Sequence, residues 1–273
     1  MVMPSTHSMP GLSVQRENAR DVMRRLPEET PVALVFNGTT AAVMMVTPAD
    51  LRDFAFGFAL SEGFIERLDQ VISFEIVSHK AGAEARFWIA EEQAQTIQAR
   101  RRNMLGPMGC GLCGIDSLEQ AIRPLPVLTA AGPALSRQEV ARATDALRDH
   151  QPLHDQTHAV HAAGFLMPGK GIVLAREDVG RHNALDKLIG AMALCGLDAS
   201  QGAIVLTSRV SVEMVQKTVF ANCPVLIAVS APTAHALRLA SEANLTLVAF
   251  ARGGGFDIYA HPDRIATGAT DAA

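Results

Sequence analysis

The chain has 273 residues, of which 48% are hydrophobic and 19% are charged, and its formal net charge is −4. This composition is typical of a globular protein with one large domain or two smaller ones. The charge gives no indication of binding to nucleic acid or to an anionic membrane. Four cysteines in a chain of this length do not make a disulfide framework.

The N-terminal stretch lacks the apolar segment of a signal peptide, and no run approaches the ~20 apolar residues that a membrane-spanning helix requires. We therefore expect a soluble, cytoplasmic protein that binds neither nucleic acid nor membranes. Residues 1–27 are expected to form a flexible tail and lead-in, because their first part is rich in Pro, Ser and Met.

Four apolar runs predict two pairs of strands in the first half of the chain. These runs are residues 31–38, 39–46, 71–78 and 85–90. The first two meet at Asn37-Gly38, a dipeptide that is typical of β-hairpin turns. A helix is predicted between the two pairs, with Thr47 as its N-cap. Together these elements predict a smaller α+β domain over residues 28–125.

Short apolar strands alternate with helical patterns in the second half of the chain, after a Pro-rich passage. The strands are predicted at residues 171–175, 203–208, 224–230 and 245–250. This rhythm predicts a largely parallel sheet covered by helices, which would form an α/β cofactor-binding domain over residues 136–262. Residues 263–273 are expected to be a C-terminal tail.

Arginines and glycines recur in the loops that follow three of these strands. The residues concerned are Arg176, Arg181, Ser208, Arg209 and Arg252, the last of which precedes Gly253, Gly254 and Gly255. Ligands of open α/β sheets bind at the carboxyl ends of the strands, so these loops predict a site for a phosphate-bearing ligand. The alternative is structural: the arginines pair with Glu177, Asp178 and Glu213, and the glycines only form turns.

Two cysteines, Cys110 and Cys113, lie in the glycine-rich stretch MGCGLCGID. A structural zinc site normally needs a second such pair, which the chain lacks, although histidine ligands stay open. A thioredoxin-type couple usually opens a helix, whereas glycines surround this pair. The stretch favours a mobile thiol that carries sulfur as a persulfide over a zinc site or a simple redox couple.

His158 and His161 are spaced as i and i+3 on a predicted helix, a spacing at which both could bind one metal ion. The stretch resembles part of the zinc deaminase signature, but it lacks the glutamate that moves protons, and the only Cys-x-x-Cys pair lies upstream. We therefore expect a structural role or a ligand contact for these histidines, and no bound metal. Cys195 and Cys223 are expected to be small core residues.

Several motifs within residues 30–262 closely resemble the FdhD family of formate dehydrogenase accessory sulfurtransferases. They are DLRDFAFGFALSEG (50–63), CGLCG (110–114), EDVGRHNALDK (177–187), SRVSVEMVQK (208–217), PVLIAVSAPT (224–233) and FARGGGFDIY (250–259). One position departs from the family, which tends to have glycine where this chain has His158.

The resemblance implies a cytidine deaminase-like α/β/α sandwich domain with a smaller α+β N-terminal domain, in a homodimer. It implies that Cys110 accepts sulfur from a cysteine desulfurase as a persulfide, and that Cys113 assists the relay or shares this role. The sulfur would pass to the Mo-bis(molybdopterin guanine dinucleotide) cofactor, which then enters the formate dehydrogenase apoenzyme. No structural zinc is implied. The residues that match the family's cofactor-binding segment are Phe250, Ala251, Arg252, Gly253, Gly254 and Gly255.

Two other functions stay open from the sequence. The protein could bind and escort the molybdenum cofactor without transferring sulfur, in which case a double Cys→Ala variant would still mature formate dehydrogenase. It could also be a zinc-dependent hydrolase of nucleosides, which the missing glutamate disfavours. Stoichiometric zinc in the purified protein would support that second function.

Overall fold

The structure is a computed structural model that describes residues 3–16, 18–102 and 124–266 of a mixed α/β protein. The strands of the first half are β1 (Thr6–Gln15), β2 (Asn18–Pro27), β3 (Thr30–Phe36), β4 (Thr39–Val46), β5 (Val71–His79) and β6 (Gly82–Ile89). The strands of the second half are β7 (Leu135–Ser136), β8 (His161–Met167), β9 (Gly171–Asp178), β10 (Ala203–Leu206), β11 (Val225–Ala228), β12 (Thr246–Arg252), β13 (Gly255–Ala260) and β14 (Ile265–Ala266). The α-helices are α1 (Leu51–Ser61), α2 (Glu91–Arg102), α3 (Arg137–Arg148), α4 (Pro152–Thr157), α5 (Arg181–Leu194), α6 (Val212–Phe220) and α7 (Ala234–Glu242).

A four-stranded sheet in the order β4-β3-β6-β5 forms most of the first half. The predicted hairpin is confirmed: Asn37 and Gly38 join β3 to β4, and their φ angles of 45° and 80° are those that a type I′ turn requires. Strand β6 pairs parallel with β3 and antiparallel with β5. Helix α1 contributes Phe54, Phe56 and Phe58 to the core of this sheet.

The prediction that Thr47 is the N-cap of α1 is wrong. The helix begins at Leu51, and Asp50 takes the N-cap position in a left-handed conformation with a φ of 52°. Thr47 is fully buried and serves the second half of the chain instead. Its backbone N–H donates to the Asp178 carboxylate, and its hydroxyl accepts from the N–H of Val179. Local capping rules take no account of such distant partners.

Residues 6–27 form an antiparallel hairpin of β1 and β2, so the expectation of a flexible tail up to residue 27 is wrong. Most of the hairpin's side chains are exposed on both faces. The strands therefore lack the alternation of apolar and polar residues by which a half-buried strand is recognised in a sequence. The hairpin is joined to α4, because Arg25 donates a 2.7 Å hydrogen bond to the side chain of Gln156.

The second sheet has six strands in the order β13-β12-β11-β10-β8-β9. Strands β10, β11 and β12 are parallel, as the alternation of strands and helices predicts. Strands β8, β9 and β13 run antiparallel to their neighbours, so the expectation of a largely parallel sheet is wrong. The error arises mainly at β8, which begins in the histidine-containing stretch interpreted as a helix and lies between β9 and β10.

The six-stranded sheet is covered by helices on both faces. Successive residues of its central strands point to opposite faces, so each strand contributes side chains to both cores. Ile204 and Leu206 of β10 pack in the core formed with α5, α6 and α7. Ala203 and Val205 of the same strand pack in the core formed with α3. The alternation explains why these strands are apolar at every position.

Helices α1 and α5 bring the two sheets together at a pair of glycines. A Cβ atom on Gly57 would lie 1.7 Å from the carbonyl oxygen of Asp186, and one on Gly190 would lie 1.9 Å from the carbonyl oxygen of Asp53. Both obstacles are backbone atoms, which a rotamer change cannot move. Glycine is therefore the residue that permits this approach of the two helices.

The described chain stays in the fold up to Ala266, so the expectation that a tail begins at residue 263 is wrong. Ile265 is buried, and its strand β14 pairs with β7. Arg264 donates to the backbone carbonyls of Ala130 and Ala131, which ties this end to the start of the second half. The predicted domain boundaries at 28, 125 and 136 stay predictions. Within the described ranges, no helix is long and apolar enough to cross a bilayer.

Candidate functional site

A cavity of about 630 Å³ opens at the carboxyl end of the parallel strands. Thr207, Val229 and Arg252 line it from the ends of β10, β11 and β12. The facing wall comes from α3, α4 and the segment that leads into β8. Its side chains are Thr144, Asp145, Arg148, Gln151, His154, His158 and His161. The position is the one expected for a ligand site in an open α/β sheet, and the volume suits a small molecule.

Helix α3 is fixed at its start and at its cavity end. Ser136 and Glu139 form a capping box, in which the Ser136 hydroxyl accepts from the Glu139 N–H and the Glu139 carboxylate accepts from the Ser136 N–H. Near the cavity, the Thr144 hydroxyl donates to the carbonyl oxygen of Ala251 in β12. The neighbouring Asp145 and Arg148 side chains are thereby held over the ends of the parallel strands.

Helix α4 is positioned by a buried carboxylate. Glu177 of β9 accepts the backbone N–H groups of Leu153 and His154, both at 2.8 Å. These donors belong to the first turn of α4, where the backbone has no partner within the helix. Burial raises the pKa of Glu177, and the two N–H donors oppose that rise. Glu177 therefore holds His154 at the cavity rather than pairing with an arginine.

The two predicted histidines both line the cavity, but they do not share a helix. His158 ends α4 with a φ of 53°, and His161 begins β8. The left-handed region favours glycine, so the backbone at His158 is strained. Within the described residues, no group of three or more His, Cys, Asp or Glu side chains is arranged to hold a metal ion.

His161 lies in an environment that favours the neutral imidazole. Burial lowers its pKa, and the nearby Arg181, His182 and His154 lower it further. The neighbourhood of Arg181 also places that predicted arginine close to the His161 side of the cavity. Arg181 makes no ion pair with any described carboxylate, but it is not among the residues that line the cavity.

The FARGGGF segment forms the turn between β12 and β13. Gly253 and Gly254 carry φ angles of 61° and 78°, and Gly255 begins β13. Ala251 is fully buried in the core beneath α3, so its side chain is not at the surface of the cavity. Phe250 adopts a φ of 52° and lies 6.4 Å, between ring centres, from Tyr259. Arg252 is the side chain of this segment that lines the cavity.

Arg176, a predicted ligand residue, is instead a structural residue. Its guanidinium lies 2.7 Å from the Asp53 carboxylate of α1 and 3.7 Å from that of Asp50. The structural alternative of the sequence analysis therefore holds for this arginine, although its partners differ from the acidic residues considered there. The pair links the second half of the chain to α1.

Ser208 and Arg209 follow β10 but do not line the cavity. The Ser208 hydroxyl donates to the carbonyl oxygen of Arg209 at 2.9 Å and is buried. Arg209 is exposed and makes no ion pair among the residues that the structure describes. Glu213, one of the carboxylates considered as partners of the arginines, faces His182 at 3.8 Å between Oε2 and Nε2.

Buried charges of the EDVGRHNALDK motif connect this motif to α1 and to the loop before it. The Lys187 ammonium lies 2.7 Å from the Asp178 carboxylate and donates to the carbonyl oxygen of Thr47 at 3.0 Å. Both charged side chains are 0% exposed. Charges so deeply buried are stable only when they are paired and fully hydrogen-bonded. These residues therefore hold the two halves together.

A second buried cluster surrounds Lys217 of α6. Its ammonium lies 2.8 Å from both the Asp186 and the Glu62 carboxylates and 2.9 Å from the Ser61 hydroxyl. Ser61 donates to Asp186 at 2.6 Å. Burial opposes the charge on Lys217, but Asp186 and Glu62 outweigh it and raise the pKa of the amine. Lys217 is therefore a buried cation that joins α1, α5 and α6.

The two described cysteines differ in exposure. Cys110 and Cys113 lie outside the described residues. Cys223 is a core residue as expected, and burial raises the pKa of its thiol to about 12. Cys195 is exposed at the end of α5, so the expectation that it is a core residue is wrong. Its place after the last helical turn puts it beyond the packed face of the helix.

Several cavity residues were missed by the sequence analysis, namely Asp145, Arg148, Gln151, His154 and Thr207. The sequence feature that could have indicated them is the run of polar and histidine residues around Pro152, which lies between the end of α3 and the start of α4. Such a run is also common in exposed loops, so only its position beside the strand ends distinguishes it.

Comparisons with known proteins extend the resemblance over nearly the whole chain. The profile of the FdhD/NarQ family matches residues 27–266. The sulfur carrier protein FdhD of Agrobacterium fabrum is 49% identical over 242 residues, 89% of either chain. That of Cupriavidus necator is 47% identical over 266 residues, 96% of this chain and 91% of the relative. The crystal structure of a formate dehydrogenase accessory protein from Desulfotalea psychrophila matches with a TM-score of 0.73 and 25% identity, covering 96% of this chain and all of that one.

Proposed function

The chain belongs to the FdhD/NarQ family, and on this basis we propose that it is a sulfur carrier for the maturation of formate dehydrogenase. It takes sulfur from a cysteine desulfurase and transfers it to the Mo-bis(molybdopterin guanine dinucleotide) cofactor, which is its cargo rather than a resident cofactor. Its other partners are the formate dehydrogenase apoenzyme and a second copy of the chain. It acts in the cytoplasm, and its second half has a cytidine deaminase-like fold.

The proposed sulfur transfer begins on Cys110. Its thiolate attacks the outer sulfur of the donor's persulfide, the S–S bond of the donor breaks, and the donor leaves as a thiolate. The outer sulfur moves together with its proton, so Cys110 becomes a persulfide and the negative charge passes to the donor's thiolate. Cys113 assists the relay. Cys223 is unsuited to this role, since its buried thiol has a pKa of about 12 and stays protonated at neutral pH.

The observation that supports binding of the molybdenum cofactor is the cavity at the carboxyl ends of the parallel strands. Arg252 of the FARGGGF segment lines it together with Arg148, whose guanidinium is also paired with Asp155. Guanidinium groups bind phosphate oxygens through charge-assisted hydrogen bonds, and a guanine dinucleotide supplies several phosphates. Arg181 adds positive charge beside His161. Arg252 is the predicted arginine that lines this cavity, so we place the nucleotide on Arg252 and its neighbours alone; the other predicted residues, Arg176, Arg181, Ser208 and Arg209, are not part of the lining.

Sulfur transfer can be tested by intact mass spectrometry after incubation with a cysteine desulfurase and cysteine. We expect the wild type to gain the mass of one sulfur atom, which is lost on reduction and maps to the peptide that contains Cys110. The Cys110→Ala variant should show no gain. The matched control is Cys195→Ser, which removes an exposed thiol and should keep the gain. Sulfur on Cys195, or an unchanged gain in Cys110→Ala, would overturn the proposal.

An escort that binds the cofactor without transferring sulfur is the second candidate, because the arginines that line the cavity bind phosphate without the help of a thiol. This candidate predicts that Cys110→Ala still restores formate dehydrogenase activity in cells that lack the wild-type protein. Sulfur transfer predicts an inactive formate dehydrogenase in the same cells. The two functions thus give opposite results in one complementation assay.

Arg252 should contribute strongly to nucleotide binding. We expect Arg252→Ala to weaken the affinity for GDP by about tenfold, the loss typical of one charge-assisted hydrogen bond. Isothermal titration calorimetry on the full chain measures this loss. Arg238→Ala is the control, because Arg238 lies exposed on α7 away from the cavity. Equal affinities of the two variants would contradict the assignment of this cavity.

A further inference from the structure

The hairpin of β1 and β2 takes no part in the steps of the proposed function. It is joined to the rest of the chain at its base, where Arg25 donates to Gln156 and where Nε2 of His7 lies 3.0 Å from the Glu28 carboxylate. Beyond its base, most of its side chains are exposed. An isolated two-stranded hairpin is at best marginally stable in water, so this one lacks the packing that such a structure needs.

One face of the hairpin is apolar. Residues that pair across two antiparallel strands share a face, and so do residues two apart along one strand. The side chains of Leu12, Val14 and Met23 are 64%, 65% and 63% exposed. An exposed apolar patch with a polar rim is typical of an interaction surface. The register of β1 and β2 places five such residues on one face, namely Pro10, Leu12, Val14, Ala19 and Met23.

Two opposite charges lie on this apolar face, at equal distances from Met23. Asp21 precedes Met23 by two residues, and Arg25 follows it by two. Four residues of a strand span about 13 Å, so Asp21 and Arg25 are too far apart to pair within one hairpin. The Arg25 guanidinium has further N–H groups besides the one that it donates to Gln156, so it can also bind a carboxylate.

We propose that the apolar face of the hairpin binds the same face of a second copy of the chain. The two hairpins lie antiparallel, and the two-fold axis passes beside Met23. Asp21 of each copy then lies opposite Arg25 of the partner subunit, and the apolar side chains around Met23 are covered. A symmetric dimer interface must be complementary to itself, and the placement of the two charges about Met23 meets this condition.

The opposite face of the hairpin is less suited to self-association. The register places Met9 and Leu26 there, together with Arg20 and Arg24, and no described residue of that face is acidic. Two copies that packed through it would bring like charges together without a carboxylate to balance them. The distribution of charge therefore favours the apolar face as the contact between copies.

The inference rests on the proposed function for the second copy, and it adds the surface on which that copy lies. Sedimentation velocity of the full chain, over a range of concentrations, measures the dissociation constant of the dimer. We expect the wild type to sediment as a dimer that dissociates on dilution. The unfolding temperature of each variant, from circular dichroism, shows whether the body of the protein stays folded.

Leu12→Ser combined with Met23→Ser removes two apolar side chains from each copy. We expect this double variant to raise the dissociation constant by about 100-fold, because central apolar contacts carry much of the binding energy of an interface. The control combines Val43→Ser with Ile72→Ser. These side chains are 45% and 74% exposed on the four-stranded sheet, and their loss should leave the dissociation constant unchanged.

Reversal of the two charges tests the antiparallel arrangement. Asp21→Arg and Arg25→Asp each set like charges opposite one another, so each should raise the dissociation constant by about tenfold or more. The two changes together restore opposite charges across the axis, and the dissociation constant should return to within about threefold of the wild-type value. Damage to the hairpin would not be reversed in this way, so a double variant as weak as the single ones overturns the arrangement.

The remaining outcomes separate this inference from the proposed function. A dimer that the Leu12 and Met23 changes leave intact, or that the Val43 and Ile72 changes disrupt instead, overturns the inference and keeps the second copy as a partner. A wild-type chain that is monomeric at every concentration overturns both. Sulfur on Cys110 is measured by mass, so a failure of sulfur transfer is recognised separately.

Discussion

Replacing Gly57 with alanine is expected to lower the free energy of unfolding by about 3 kcal/mol or more. The added methyl group would lie 1.7 Å from the Asp186 carbonyl oxygen and 2.7 Å from the Gly190 nitrogen, both of them backbone atoms of α5. Helices α1 and α5 must move apart to admit it, and the packing on both sides of the contact is lost. The gain in helix propensity, about 1 kcal/mol, is too small to offset this loss.

Urea denaturation of the variant and the wild type measures the difference. Gly11→Ala is the control, because a Cβ atom there would meet only a side-chain methyl of Val22 at 3.8 Å. We expect the control to unfold at the wild-type midpoint. If Gly57→Ala does so as well, the close approach of α1 and α5 described here is incorrect.

The second large effect is expected for Lys217→Met. The change leaves the Asp186 carboxylate buried without its cation, while the Ser61 hydroxyl remains as its hydrogen-bond donor. Removing one partner of a buried ion pair typically costs about 3–5 kcal/mol. The free energy of unfolding, again from urea denaturation, should fall by that amount. Lys170→Met, in an exposed turn, removes the same charge and should have little effect.

A double variant shows that the loss comes from the unpaired carboxylate. In Lys217→Met with Asp186→Leu, no buried charge of this pair remains, and apolar replacements of buried ion pairs are often neutral or stabilising. We expect the double variant to regain much of the stability that the single variant loses. A double variant less stable than Lys217→Met would argue against an ion-pair origin of the effect.

Secondary structure was largely predictable from the sequence, and the arrangement of the strands was not. The Asn37-Gly38 turn and the helices between β10, β11 and β12 follow from local patterns. The position of β8 does not, because a strand buried between two others and a buried segment of helix both appear in the sequence as a short apolar run. The hairpin of β1 and β2 was missed for the opposite reason, since exposure on both faces leaves no alternation to detect.

The candidate site was predictable in its location and only partly in its residues. Loops at strand ends indicated an anion site, and Arg252 does line the cavity there. Arg176 carried the same signal, but its partner Asp53 lies 123 residues away along the chain. No local pattern reports such a pairing. Asp145 and His154 were missed because polar residues on a helix are ordinary until a cavity is found beside them.

The buried Asp178–Lys187 pair affects how genetic screens of this protein should be interpreted. Variants of the EDVGRHNALDK stretch that abolish formate dehydrogenase activity would be assigned to catalysis, although Asp178 and Lys187 contact Thr47 rather than the cavity. Marginally stable proteins lose cellular abundance when such contacts are broken. Immunoblots of the variants, set beside their activities, would separate misfolded chains from chains that are present at normal levels but inactive.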